Sequence, residues 1–150
     1  MRSVLAATTV ALGLALLAGA PPAIALERGV TADGWPYLAG GFGIEERDEL
    51  EQARRDYRLR VTTAARGSGA YVSLVRLRIT DASGRTVFDR EIDGPWLLID
   101  VAPGRYSLRA TLTGETVEQQ VTLGATDRRE IYFYFTVAAD VPPWDERLLR

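Results

Sequence analysis

From residue 57 onward, apolar and polar residues alternate with a period of two. Tyr57, Leu59, Val61 and Thr63 alternate with Arg58, Arg60 and Thr62; after the loop Ala65-Arg66-Gly67-Ser68-Gly69, the positions Tyr71, Ser73, Val75, Leu77 and Ile79 alternate with Arg76 and Arg78. This pattern predicts half-buried strands. A hairpin with Ala64 opposite Ala70 sets Leu59 across from Val75 and Tyr57 across from Leu77, so the two apolar faces coincide. Asp81-Ala82-Ser83-Gly84 has the residues of a type I turn and leads into a third strand, Arg85 to Ile92, which Gly94-Pro95 ends. Leu97, Ile99 and Val101 mark a fourth strand, Tyr106, Leu108, Ala110 and Leu112 a fifth, Val117, Val121 and Leu123 a sixth, and Ile131, Phe133, Phe135 and Val137 a seventh. Pro103-Gly104 suits a type II turn, which splays tight hairpins, so this connection is expected to cross between two sheets. The reading is an all-β, seven-stranded β-sandwich over residues 57–137, with an irregular tail, 138–150, containing Pro142-Pro143 and Trp144.

Ahead of the strands the period changes to that of a helix. In IEERDELEQARRDY, acids at 45, 46, 48, 49 and 51 precede Arg54 and Arg55, the order a helix dipole favours. Leu50, Ala53 and Tyr57 fall on one stripe, and Glu51 and Arg55 form an i, i+4 pair. One amphipathic helix is predicted at about residues 44–55. Residues 26–43, with several Gly and no period, read as a loop lead-in, so 26–56 is a lead-in plus helix. At the start of the chain, Arg2, an uncharged stretch from Val4 to Ala20, Pro21-Pro22 and Ala23-Ile24-Ala25 have the layout of a signal peptide cleaved after Ala25. That layout predicts a periplasmic or secreted protein with no stable membrane insertion once residues 1–25 are removed.

Composition narrows the chemistry. The chain has no His and no Cys, and all 18 basic residues are Arg. Ser-His-Asp triads, thiol nucleophiles, His/Cys zinc sites, disulfides and Schiff-base lysines are therefore excluded, and lipid attachment at a Cys near the cleavage point is excluded with them. No cofactor is implied. The expected mature chain keeps 17 basic against 20 acidic residues, a net charge of −3, with no global attraction to nucleic acid.

The run from Val75 to Gly84 (VRLRITDASG), followed by Gly94 to Ala110 (GPWLLIDVAPGRYSLRA) and a final apolar strand, resembles the carboxypeptidase regulatory-like domain, a transthyretin-like (prealbumin-like) sandwich. The resemblance covers roughly residues 57–137, and its pattern consists of turns and core positions. The segment YLAGGFGIEERDEL resembles small exported bacterial proteins that carry this domain alone. The resemblance implies a transthyretin-like or Ig-like sandwich, a fold that hosts many functions. Its enzymatic branch, the hydroxyisourate hydrolases, uses active-site His residues and a C-terminal Tyr-Arg-Gly-Ser motif. This chain has no His and ends Asp-Glu-Arg-Leu-Leu-Arg, so that activity does not carry over.

Several groups are candidate sites. Arg58, Arg60, Arg76 and Arg78 form an outward stripe, and the expected hairpin places Arg58 beside Arg76, where two guanidinium groups could clamp an anion. The same register puts Asp56 opposite Arg78 and Asp89 opposite Arg76, which favours an ion-paired surface. Gly40-Gly41-Phe42-Gly43 resembles a phosphate loop, but no strand is expected before it, and Glu45 and Glu46 occupy the positive helix end. The acidic cluster lacks the spacing of a calcium loop. Trp96, Tyr132 and Tyr134 alternate with core residues and point outward, which suits binding of a sugar or a protein unless the helix, the lead-in or the tail covers them. The reading is a non-enzymatic exported module that binds a protein or envelope partner. The alternatives are a carbohydrate-binding module using Trp96, Tyr132 and Tyr134, or a carboxylate-dependent hydrolase, which requires a cleft holding two carboxylates at one specific separation.

Overall fold

A computed structural model describes residues 26–138. The expected signal peptide, its cleavage point after Ala25 and the tail residues Pro142, Pro143 and Trp144 lie outside the described residues. The chain forms β1 (Glu27–Val30), β2 (Pro36–Gly40), the helix α1 (Ile44–Ala53) continued by a 3-10 turn (Arg54–Asp56), and then β3 (Leu59–Ala65), β4 (Val75–Asp81), β5 (Thr86–Ile92), β6 (Trp96–Ile99), β7 (Gly104–Leu112), β8 (Glu115–Leu123) and β9 (Arg129–Phe135). Two sheets face each other, one ordered β1-β2-β6-β3-β9 and the other β5-β4-β7-β8. Leu59, Val61, Leu97, Ile99, Phe133 and Phe135 of the first sheet share one buried core with Val75, Leu77, Ile79, Leu108 and Ala110 of the second. The fold is an all-β sandwich. Each fully buried Leu, Ile or Phe here contributes about 1.5–3 kcal/mol relative to exposure.

Among the described residues the strands number nine, because the glycine-rich lead-in is a hairpin and not a loop. Its turn repeats the one after β4. Thr31 N donates to Trp35 O (2.9 Å) and Gly34 N to Thr31 O (2.9 Å), as Asp81 N donates to Arg85 O (2.9 Å) and Gly84 N to Asp81 O (3.0 Å). In both, the opening side chain accepts from the fifth residue: Thr31 Oγ1 from Trp35 N (3.1 Å), Asp81 Oδ1 from Arg85 N (3.0 Å). In both, the fourth residue is a glycine at positive φ, +85° at Gly34 and +83° at Gly84, which turns the strands tightly without splaying them. Within β1, Gly29 lies opposite Tyr37, whose ring fills the space a side chain would take.

The expected hairpin between residues 57–63 and 71–79 does not form. β3 pairs with β6 and, in parallel, with β9, whereas β4 belongs to the other sheet. A turn does form, but one residue out of the expected register: Ala65 N donates to Ala70 O (2.7 Å), Val72 N donates to Thr63 O (3.1 Å), and a single bridge sets Ala64 opposite Tyr71 and not Ala70. Leu74 then takes φ +58° and carries the chain across to the second sheet. The two apolar faces do meet, but across the core and not side by side, and coincidence of faces is common to both arrangements. The connection from β6 to β7 also crosses between sheets, as expected, although Gly104, at φ +159°, is the first residue of β7 and lies far from the type II value. An immunoglobulin sandwich groups its first, second, fourth and fifth strands in one sheet. Here β3, first of the seven strands expected, sits between β6 and β9, so the grouping is not of that type.

On the outer side of the first sheet, α1 covers a second small core of Leu26, Leu38, Leu50, Trp96 and Leu98, with Ala53 and Tyr57 packed against it. Of the stripe read from the sequence, Leu50 is fully buried and Ala53 and Tyr57 partly so, and every residue of β3 is buried.

Candidate binding surface

The outward residues of the first sheet form rows set by the strand register. Leu38, Leu98, Arg60 and Glu130 make one row, and Gly40, Trp96, Thr62 and Tyr132 the next. Ala64 follows, paired with Tyr134 on one side and bridged to Tyr71 on the other. α1 covers the β2 and β6 end of these rows and leaves the β9 end uncovered.

The three expected aromatics therefore do not make one platform. Trp96 is only 5% exposed, packed under the helix, whereas Tyr132 and Tyr134 are each 43% exposed. The two tyrosine rings are stacked nearly parallel, 12° apart, with centroids 6.1 Å apart. With Trp96 buried, the platform of three aromatics expected for a sugar is not formed. The Glu130 carboxylate beside Tyr132, together with partial burial, pushes its phenol pKa up. Tyr71, also 43% exposed, meets Trp96 edge to face at 5.6 Å and completes an aromatic strip with small Ala64 and Thr62 at its centre. Tyr71 was not singled out in the sequence because its alternation assigned it to the core face of a long strand. The strand starts only at Val75, after the reversal at Leu74, and the alternation does not extend back across that break.

Under the helix edge, Arg60 is 7% exposed and not the solvated stripe residue its alternation implied. Its guanidinium lies 4.0 Å from the Trp96 ring centroid, bonds Glu51 Oε1 on α1 at 2.6 Å and lies 3.3 Å from Glu130 Oε1 on β9. Arg54 joins the same two acids, at 2.8 Å to Glu130 and 3.6 Å to Glu51. Glu51 thus pairs with Arg54 and Arg60 instead of Arg55, because the helix tightens into a 3-10 turn at Arg54. The hydrogen bond from Arg60 holds the Glu51 carboxyl below the usual carboxylate range. The Trp96 indole N–H is buried without a hydrogen-bond partner.

Arg58 and Arg76, expected side by side, are apart: Arg58 directly precedes β3 of the first sheet, and Arg76 lies on β4 of the second. Arg58 Nη1 donates to Asp100 Oδ1 (3.0 Å) and to the carbonyl of Val101 (3.2 Å); Arg76 Nη2 is ion-paired with Asp89 Oδ1 at 2.9 Å. Asp89 also takes Arg78 at 2.8 Å and sits directly opposite it, because the turn closes from Asp81 to Arg85 and a bulge between Ile79 and Thr80 shifts the register once more. Asp56 is not opposite Arg78, since β3 and β4 are not neighbours. Neither Arg58 nor Arg76 is available as half of an anion clamp. Arg58 instead lines a half-open cleft of about 220 Å³ with Asp56, Tyr57, Asp100, Ala125, Thr126, Asp127 and Arg128. Asp100 there is committed to Arg58, and Asp127 accepts from Gly124 N at 2.9 Å.

β2 does precede the glycine run, contrary to the expectation that no strand would. The run is nonetheless closed: Glu46 Oε2 accepts from Gly41 N (2.9 Å) and Phe42 N (3.1 Å), where a phosphate oxygen would sit. Glu49 pairs with Arg28 of β1. No protein-family model matches this chain, and no curated protein matches it.

Proposed function

We propose that this chain is an exported, non-enzymatic β-sandwich module of the carboxypeptidase regulatory-like, transthyretin-like kind, which binds a protein or envelope partner through the surface at Tyr132 and Tyr134. One observation carries the reading: the helix that seals the rest of the outer sheet face stops short of β9 and leaves two stacked tyrosines and Tyr71 each 43% exposed. Rigid amphipathic rings in a cluster make large contact area at low entropic cost, which is how protein interfaces use tyrosine. The departure from an immunoglobulin grouping and the crossing from β6 to β7 support the transthyretin-like kinship. The signal-peptide layout supports export. The free edge of β9 is partly blunted, since Gln119 Nε2 donates to Tyr132 O (2.5 Å) and Arg66 Nη2 to Tyr134 O (3.0 Å), so side chains and not strand addition are the binding elements.

The test is capture from envelope extract with residues 26–150 and with the Tyr132→Ala/Tyr134→Ala double variant, identifying the retained component in each. A component held by the native chain and lost by the double variant is the expected result. Recovery of the same material by both overturns the reading.

A further inference from the structure

We infer that α1 is a lid: it comes off the outer sheet face as a unit while the sandwich stays folded, and its opening brings Trp96 to the surface beside Tyr132. Given the binding role proposed above, on which this part rests, the lid sets how much of the aromatic surface a partner meets.

Little holds the helix in place. Its 10 residues fall short of the roughly 12–15 at which an isolated helix becomes even marginal in water. Its N-cap, Gly43, makes no side-chain hydrogen bond, and its one buried residue is Leu50. Beyond Leu50 and the partly buried Ala53, its ties to the sheet are polar. The Arg28–Glu49 pair, with both side chains at least half exposed, and Arg47 over the Tyr71 ring at 5.7 Å are weak. Glu46 accepts only from Gly41 and Phe42 in the helix's own lead-in. The latch is formed by two pairs at the C-terminal end, Glu51 with Arg60 and Arg54 with Glu130. At the other end Gly41, at φ +100°, leads from β2 into the helix and serves as the hinge. The seam is also poorly satisfied. Of the three buried side-chain polar atoms without a hydrogen-bond partner among the described residues, two, Trp96 Nε1 and Arg60 Nε, belong to residues that α1 covers. Opening uncovers both residues, and hydration of these groups offsets part of the cost of exposing Leu26, Leu38, Trp96 and Leu98. The surface revealed is set by register. Trp96 and Tyr132 lie in one row with Thr62 between them, and Tyr71 already meets Trp96 edge to face. With α1 away, these rings and Tyr134 share one open surface.

Native-state amide hydrogen exchange on the unaltered chain tests the lid. The amides bonded within α1 are expected to exchange as one group, at least a hundredfold faster than those of β3 and β6, and with little dependence on low urea, as an opening that exposes a small surface requires. Glu51→Gln should speed that group severalfold. Exchange of α1 in step with β3 and β6 overturns the lid, as do rates graded inward from the helix ends, the mark of fraying. The part the lid plays in binding is tested by a lock. The chain has no cysteine, so Arg28→Cys/Glu49→Cys, at two exposed positions whose side chains meet, can be bridged selectively with a short bis-maleimide. The bridged protein should retain at least fivefold less of the tyrosine-dependent component from envelope extract than the same variant with each thiol blocked singly. Equal retention overturns the lid's part in binding. Tyrosine-dependent capture without group exchange of α1 overturns the lid and supports the proposed function; group exchange without tyrosine-dependent capture supports the lid and overturns the proposed function.

Discussion

Arg60 lies over Trp96, its guanidinium carbon 4.0 Å from the indole centroid, and the pair joins the helix to the sheet. The arginine reaches Glu51 above and Glu130 beside it, while the indole beneath packs with Leu50, the fully buried residue of α1. Removing the arginine strips an indole face of its cover and leaves Glu130, at 18% side-chain exposure, with Arg54 as its remaining cation. Breaking a fully buried ion pair costs roughly 3–5 kcal/mol, and Glu51 is open enough to water to reduce that. Arg60→Ala should therefore lose about 2–3 kcal/mol in urea unfolding, and Arg60→Met, which keeps the apolar cover, about half as much. Equal losses in the two variants would show that the stacking contributes nothing.

The same cluster predicts an acid limb in stability. Hydrogen bonding from Arg60 depresses the Glu51 pKa in the folded state. A depressed folded pKa means that the stabilisation is present above the unfolded value, near 4.3, and is lost as pH falls through the folded value. Arg78 and Ser83 likewise hold Asp89 and Asp81 low, so the whole protein loses stability on that limb. The specific expectation is for Glu51→Gln: less stable than the native chain at pH 7, with the gap closing below pH ~4. A gap that stays constant from pH 7 to pH 3 would remove the Arg60 hydrogen bond as its cause.

How much of this was legible depends on the range of the interaction. Each of the seven expected strands, the helix and the buried stripe of Leu50, Ala53 and Tyr57 follow from periodicity, which records what each residue faces. Lateral neighbours do not follow: Leu59 and Val75 face the same core from opposite sheets, and only the reversal at Leu74, a residue with no propensity for positive φ, decides between the arrangements. The first hairpin was readable in principle, since Thr31-Ala-Asp-Gly34 has the spacing of Asp81-Ala-Ser-Gly84, and Arg85 bonds Asp33 across the two turns at 3.0 Å. Glycine content masked it. The exposed site was only partly readable, because alternation places Trp96, Tyr132 and Tyr134 on one face but is silent about where a ten-residue helix ends over them.

Two glycines separate close packing from conformational strain. A Cβ on Gly94 would lie 2.3 Å from the carbonyl oxygen of Gly40, whose strand it crosses, and the residue sits at φ +149°. Gly94→Ala should cost more than about 3 kcal/mol, because backbone has to move. Gly67, at φ +89° with nothing within 4 Å, tests the strain alone, and Gly67→Ala should cost about 1–2 kcal/mol. Thermal melts of the two variants side by side check this; comparable losses would mean that the approach of residue 94 to β2 is not close.

The carboxylate closing the glycine run gives the last expectation. Glu46 sits three residues after Gly43, which caps α1 without a side chain, and its Oε2 reaches back to two backbone N–H groups at Gly41 and Phe42. The acid is at the position of a capping-box acid but serves the two donors ahead of the N-cap instead of the N-cap's own N–H. Glu46→Ala should destabilise the protein by about 1 kcal/mol, and it should also vacate an anion position flanked by two free donors and a helix N-terminus. Phosphate at tens of millimolar should then raise the melting temperature of Glu46→Ala while leaving that of the native chain unchanged, since a ligand that binds only the folded state stabilises it by mass action. Sodium chloride at matched ionic strength separates binding from screening. If phosphate stabilises both proteins alike, Glu46 is not the group that keeps the glycine run closed to anions.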